Sequence, residues 1–353
     1  MKIGFPRALF YYDYFPFWSG FFNHLDIELK ISPSTHRQIM EDGLKRANDE
    51  TCLPLKLLAG HIQALKDVDA IFLPRMVSGE ENAYNCPKFL GIPETLLAAV
   101  PPGMPVLSAV INWRKGQRQV LKDLQILGVK LGKSRAEIHK AFLRGHECQQ
   151  QYQESRGAGW NFEEKIKELE SAGGGTLKKS NGNCMVIAAN VPQTPSKPLR
   201  ITLIGHSYLV QESYANLNLL QRLREKAEVS LIQHVEPKEA EAHLSGLRKK
   251  LFWSHAKQIY GAGNKFVEDP TIDGIIYLTC FGCGTDSMVQ ELLAQKVRKH
   301  HKPYMVITLD EHTGEAGLVT RLEAFLDMVE RRKAREGYVS AYGKCLDSHS
   351  NTL

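Results

Sequence analysis

Two thiols stand three residues apart in YLTCFGCGTDS, Tyr277 to Ser287, at the end of an apolar run and just ahead of a helix start. Alone, the pair Cys280 and Cys283 admits three uses: a redox dithiol, half of a zinc site, or part of an iron–sulfur site. Two further cysteines share its local grammar. Cys52 in ETCLP precedes Pro54, a good first-turn residue for the helix that follows, and Cys86 in NCPKFLG directly precedes Pro87. Asp286 and Ser287 are capping candidates just after Cys283. Cys52, Cys86 and Cys283 therefore stand near a helix start or a fixed turn, where backbone N–H groups and the helix dipole favour the thiolate that iron and zinc bind. A thioredoxin-like pair wants its motif in the first turn of a helix without two more thiols at strand ends nearby. Structural zinc usually draws on two close-spaced pairs, whereas Cys52 and Cys86 stand singly in the other half of the chain. Ligands gathered one at a time from several loops suit a metal or cluster site in a cleft between domains. A redox dithiol and buried inert thiols stay open as alternatives.

The elements that must position these residues repeat. KIGFP at Lys2 to Pro6 opens a strand, an aromatic segment follows, and IELKIS at Ile27 to Ser32 gives a second strand. The same order returns with RITLIGHS at Arg200 to Ser207, the amphipathic helix expected over ESYANLNLLQRLREKA and VSLIQHV at Val229 to Val235. Val68 to Pro74 is echoed by Ile272 to Leu278, and Met104 to Asn112 by Lys302 to Asp310, at a nearly constant offset. Short apolar strands alternating with helices imply parallel sheets covered on both faces, with ligands beyond the carboxyl ends of the strands. The fold class expected is α/β: two Rossmann-like parallel-sheet domains related by internal duplication, joined by a helical connecting segment. The expected boundaries are 1–114, a connector at 115–182, 183–337 and a tail at 338–353.

The bulk composition narrows the function. With 353 residues and 43% hydrophobic composition, the chain is long enough for two domains that each bury a core. Its net charge of +6 is spread through helices, with short clusters RKK and RKHHK that read as solvated helix ends, so no nucleic acid is implied. The apolar stretch Leu9 to Phe22 is too short to span a bilayer and contains Asp13 and Pro16, and no signal peptide is evident, so the expectation is a cytoplasmic protein without membrane contact. Seven cysteines, an odd number, argue against a disulfide framework. The spacing in LGVKLGKSR is one residue short of a phosphate-binding loop and follows no strand, and neither half opens with G-x-G-x-x-G. No nucleotide is expected on this chain. Cys184 reads as a core residue, and Cys148 and Cys345 have no local partners. Phe10, Tyr14, Phe17, Trp18, Phe21 and Phe22 follow helical spacing and read as a buried helix face, and His206 as a packing or capping residue. In DEHTGE, Asp310 to Glu315, two readings compete: a solvated capping loop, or a cleft edge where Glu311, His312 or Glu315 supplies protons.

Seven blocks in order carry a resemblance: KIGFPRALFYYDYFPFW, ANDETCLPLKLLAGHI, IFLPRM, NCPKFLGIP, IGHSYLVQESYANLNL, FGCGTDS and LDEHTGEAGLVTRLEAFLDMVERR. The chain resembles the domain associated with 2-hydroxyacyl-CoA dehydratase activases. That domain is a branch of the superfamily of 2-hydroxyacyl-CoA dehydratase subunits, benzoyl-CoA reductase subunits and double-cubane cluster proteins. The resemblance covers nearly the whole chain. It implies an oxygen-sensitive, anaerobic iron–sulfur protein with a [4Fe-4S] or double-cubane [8Fe-9S] cluster in the cleft between two Rossmann-like domains. It also implies low-potential electrons from a separate ATP-dependent activase, whose own nucleotide domain is absent here, and either a homodimer or pairing with a related subunit. By the same resemblance the cluster thiolates are Cys52, Cys86 and Cys283. Cys280 departs from the family pattern and is either a fourth ligand or a neighbour. A three-thiolate cluster leaves an iron open to substrate and suits a reductase-type protein; a closed four-thiolate cluster suits a non-catalytic electron carrier or scaffold. A zinc-stabilised binding module is the remaining alternative.

Overall fold

In a computed structural model the chain is described over residues 1–80, 82–154, 162, 199–244, 247 and 249–336. The expected boundaries at 182/183 and 337/338, Cys184, Cys345 and the tail fall outside these residues. The first sheet is built from β1 (Lys2–Phe5), β2 (Glu28–Ile31), β3 (Ala70–Phe72) and β5 (Val106–Leu107), in the order β2-β1-β3-β5. The second contains β7 (Arg200–Gly205), β8 (Glu228–Leu231), β9 (Gly274–Cys280) and β10 (Tyr304–Leu309), in the order β10-β9-β7-β8. Both orders are the same when counted within each half: second, first, third, fourth. All pairings are parallel. The duplicated Rossmann-like α/β unit is thus present in topology as well as in sequence.

Two expected strands are split. The run Val68 to Pro74 continues past β3 as β4 (Arg75–Ser78), and Met104 to Asn112 past β5 as β6 (Val110–Asn112); β4 and β6 pair with each other in a separate two-stranded sheet. Pro74 has no N–H to give a ladder, so the break comes where a strand hydrogen bond cannot be made. A second correction concerns ESYANLNLLQRLREKA. Helix begins only at Leu219, because Leu217 and Asn218 adopt positive φ and the Asn216 amide donates to the carbonyls of Leu209 and Val210, competing with helical bonding.

The aromatic segment forms the helix Tyr11–His24; of the six residues expected on its buried face, Phe17, Trp18, Phe21, Phe22 and the N-cap Phe10 are buried and Tyr14 is half-buried, while Phe15, outside that expected set, is buried too. It packs on the helix Arg135–Glu154, and the close approach needs glycine: a Cβ at Gly145 would lie 2.8 Å from the Phe17 carbonyl oxygen. The helices Arg37–Arg46 and Leu53–Ala64 meet the same way at Gly43 and Gly60, where a Cβ on Gly60 would lie 1.9 Å from the Ile39 oxygen. The phosphate-loop look-alike is a turn between two helices, closed by a reciprocal cap between Ser134 and Glu137. Cys148 has no local partner in the sequence but is disulfide-bonded, a use the odd cysteine count argued against. Among the described residues no helix is long and apolar enough to cross a membrane.

A buried polar network ties the halves together. His61 bonds the Ser32 hydroxyl through Nδ1 and the Thr35 hydroxyl through Nε2, both at 2.9 Å; Thr35 and Tyr12 each donate to Oε2 of Glu212, at 2.8 and 2.7 Å. Full burial, with the nearby Arg7 charge, pulls the His61 pKa down to about 3. A histidine whose folded pKa lies below its unfolded value of about 6.5 takes up its proton on unfolding, so it costs stability as pH falls through 6.5 toward 3. Urea unfolding at pH 6.5 and 5.0 should therefore show a loss for the native sequence that exceeds the loss for His61→Gln by about 1.5 kcal/mol. Equal losses would mean that His61 is protonated in the fold.

Candidate metal centre

Local sequence sets three of the four thiols at helix starts. Cys52 is the N-cap of Leu53–Ala64, Cys86 of Pro87–Leu90 and Cys283 of Gly284–Lys299, each without a side-chain capping bond, and prolines follow the first two as expected. Cys280 ends β9, and Gly282, at φ 76°, turns the chain between the pair, a conformation that side chains rarely adopt. The tertiary structure brings the thiols together. Cys52, Cys86, Cys280 and Cys283 line one cavity between the halves, walled also by His206, Tyr208 and His255, and all four are free thiols.

Their electrostatics differ. The Cys280 thiol, within hydrogen-bonding reach of both Cys283 and Cys52, holds Cys283 down to about 4 and Cys52 to about 7, and is itself driven upward. Burial raises the Cys86 pKa. Cys283 is thus held as a thiolate and Cys52 is drawn toward one, beside two protonated thiols, a donor set suited to a bound cation.

His206 follows β7 directly and is 3% exposed. Its Nε2 lies 3.0 Å from Oδ1 of Asp286 and 3.9 Å from Sγ of Cys283, and its ring stacks on Tyr208 at 4.8 Å. Burial disfavours the imidazolium, but the Asp286 carboxylate outweighs it and the His206 pKa stands well above its ordinary value. Asp286 is not the helix cap expected from the sequence. It is 1% exposed and accepts from Thr279 Oγ1 at 2.7 Å and Tyr277 Oη at 3.1 Å. His206, Cys283 and Asp286 could together hold a metal ion. Sequence reasoning passed over His206, Asp286, Tyr208 and His255 as site residues; the available signal was a histidine directly after β7, whose carboxyl end abuts that of β9.

Residues 2–234 match the family described as the CoA enzyme activase uncharacterised domain. The chain belongs to that family. Residues 236–329 match the D-component of 2-hydroxyglutaryl-CoA dehydratase. The CoA enzyme activase domain thus carries Cys52 and Cys86, and the D-component-like part carries Cys280 and Cys283. Together the matches support a role within the 2-hydroxyacyl-CoA dehydratase superfamily. No curated protein matches the chain.

The residues of DEHTGE in this activase-domain protein stand at the end of β10, beside the cysteine pair: Leu309 is in register with Cys280 and its carbonyl accepts from the Phe281 N–H. Glu311 bonds the buried Lys56 at 2.5 Å, Glu315 is exposed and ion-paired with Arg222, and His312 is exposed. None of the three lines the thiol cavity. Lys56 lies in the first turn after Cys52, so its ion pair joins the two cysteine-bearing edges. Glu311→Ala would leave that ammonium buried without its carboxylate and should cost about 3 kcal/mol in urea unfolding, with Glu311→Gln costing less. A loss below about 0.5 kcal/mol for Glu311→Ala would refute the clamp.

Proposed function

We propose that Cys52, Cys86, Cys283 and Cys280 hold an iron–sulfur cluster, and that the chain accepts low-potential electrons from a separate ATP-dependent activase to reduce a small substrate. The observation that carries this reading is the convergence of four free thiols, from loops in both halves, on one cavity in a chain of the dehydratase superfamily. The donor set fits: thiolates are the ligands iron–sulfur clusters take, and spread over separate loops they surround a cavity rather than pinch a single ion. Such a cluster, when bound, supplies single electrons of low potential. Around it the chain's own residues orient the ligands and exclude water. His206, fixed by Asp286, points Nε2 at Cys283 Sγ and offsets thiolate charge, and Tyr208, Phe89 and Trp253 keep the cavity largely dry. Of the residues on the same sheet edge, the exposed His312 is the proposed proton supplier to whatever is reduced, since Glu311 and Glu315 are held in ion pairs with Lys56 and Arg222. A homodimer or a related subunit would complete the assembly, in the cytoplasm.

A second reading has its own observation: the His206, Cys283 and Asp286 set suits a single ion such as zinc. Metal and sulfide analysis after anaerobic purification, with EPR of the reduced protein, separates the two. About four irons per chain with sulfide indicates one cubane and about eight a double cubane; zinc without sulfide removes the electron-transfer reading.

Cys52→Ala, Cys86→Ala and Cys283→Ala should each lower iron content and bleach the broad visible absorption, because each removes a thiolate from iron, while Cys148→Ala, Cys184→Ala and Cys345→Ala leave both intact. Unchanged iron in the first three would sink the ligand assignment. Stopped-flow absorbance then tests the partner. Dithionite alone should reduce the protein slowly or partly, and an activase of the matching family with ATP should speed or complete the reduction. Rapid, full reduction by a mild donor without either would favour a simple electron carrier.

A further inference from the structure

The two halves also meet at the protein surface. Tyr84 donates its N–H to the Phe252 carbonyl at 2.6 Å and accepts from the Ser254 N–H at 2.8 Å, and both Tyr84, at 40%, and Phe252, at 54%, are exposed. Arg114 lies over the Tyr84 ring at 4.0 Å and bonds its hydroxyl. Lys115 follows Arg114 directly, and Arg118 stands in the first turn of the helix Gln117–Lys130. On the other side of the seam, Lys249 and Lys250 of the RKK cluster precede Phe252 by three and two residues. All five cations are exposed, and among the described residues none is ion-paired.

Their placement does nothing for the fold. The residues three and four positions beyond Arg114, Lys115 and Arg118 are Gln117, Arg118, Gln119, Leu121 and Lys122, so the helix supplies no carboxylate to any of them. Cations at a helix start also oppose its dipole. The charge is therefore complementary to something outside the chain. Its position is informative too: Tyr84 is two residues from Cys86, and Trp253, whose ring lies 4.3 Å from that of Phe252, lines the thiol cavity. Neither that cavity nor the two clefts beside the helix Tyr11–His24 take in Tyr84, Phe252 or the five cations, so the patch faces outward and is not the wall of a small-molecule pocket.

We propose that Tyr84, Phe252 and the cations Arg114, Lys115, Arg118, Lys249 and Lys250 form the docking surface for an acidic protein that delivers electrons to the thiol site. Exposed aromatic rings with an arginine are the composition that protein interfaces favour, and unpaired cations draw in and orient an acidic face from a distance. The location beside the wall of the thiol cavity favours a redox partner over a nucleic acid, which would meet the same charge. That the partner is an electron donor rests on the reading that the thiols hold an electron-accepting cluster; the charge and exposure of the surface do not.

The probe is an activase of the matching family, with binding to the full, anaerobically purified chain read by calorimetry and electron transfer by stopped-flow absorbance. Arg118→Glu should weaken binding and slow second-order reduction about fivefold at about 20 mM salt, and the triple variant Arg114→Glu, Lys115→Glu, Arg118→Glu about fiftyfold. Both differences should shrink to within about twofold at about 0.5 M salt, where exposed charges are screened. Lys299→Glu makes the same change in charge at the far end of the helix Gly284–Lys299 from Cys283 and should leave both quantities within about twofold of native. Phe252→Ala should weaken binding about fivefold at either salt concentration. Unchanged urea midpoints identify the folded variants, and calorimetry decides the docking even where metal analysis finds no cluster. A native chain that neither binds the activase nor takes electrons from it overturns the donor reading and this proposal together. Binding by the native chain with Arg118→Glu and Lys299→Glu alike overturns the surface alone. Binding of a single-stranded oligonucleotide that is lost in the triple variant, with activase binding unchanged, assigns the patch to nucleic acid and overturns it as well.

Discussion

One ion pair crosses the place where the rest of the site must meet. Lys56 sits on the first turn of the helix that begins at Cys52, Glu311 on the loop after β10, and 255 residues separate them in the chain. Lys56 is 4% exposed, so its charge is tolerable only while the carboxylate stays with it. The pair therefore makes separation of the two sheet edges costly. Glu212, accepting from both Tyr12 and Thr35, secures the same junction from a second direction. Four thiols drawn from both halves can share a cavity only while that junction holds.

The duplication explains where the thiols come from and why the halves are not equivalent. In the first half the helix leading into β3 starts at Cys52, and the helix after β4 starts at Cys86. In the second half the helix after β9 starts at Cys283, but the one leading into β9, Ser254–Glu268, starts at Trp253. Trp253 thus occupies the counterpart of the Cys52 position, and a bulky ring closes the cavity where a fourth helix-start thiol would stand. Cys280, at the end of β9, supplies the fourth sulfur from a different kind of position. The backbone around Trp253 also joins the halves: Tyr84 donates its N–H to the Phe252 carbonyl and accepts from the Ser254 N–H.

The pair of His206 and Asp286 shows how a parallel sheet assembles polar function. The carboxyl ends of β7 and β9 lie side by side, so the residue after one strand and the first helical turn after the other are neighbours in space. Tyr277 and Thr279, on β9 itself, project hydroxyls onto the buried Asp286 carboxylate and donate to it. The histidine is left with one fixed orientation, Nε2 toward the carboxylate and Cys283.

Much of this was legible in the sequence because it depends on short-range chemistry. Repeated apolar strands established two parallel α/β units, helical spacing identified the aromatic face of Tyr11–His24 as core, and Pro54 and Pro87 marked the helix starts beside Cys52 and Cys86. Local signals also misled. Asp286 has the residue type and place of a helix cap, yet burial beside His206 and two hydroxyls gives it other partners. The break at Pro74 comes from a missing N–H and the left-handed turn at Leu217 and Asn218 accompanies side-chain bonds of Asn216, and an apolar pattern encodes neither. Only the tertiary structure decided that Cys280 joins the other three thiols, that Glu311 answers Lys56, and that an unremarkable His206 faces Cys283. Each is a contact between residues of distant segments or across neighbouring strand ends, and such contacts follow from the packing of whole sheets and helices, which leaves no periodic trace along the chain.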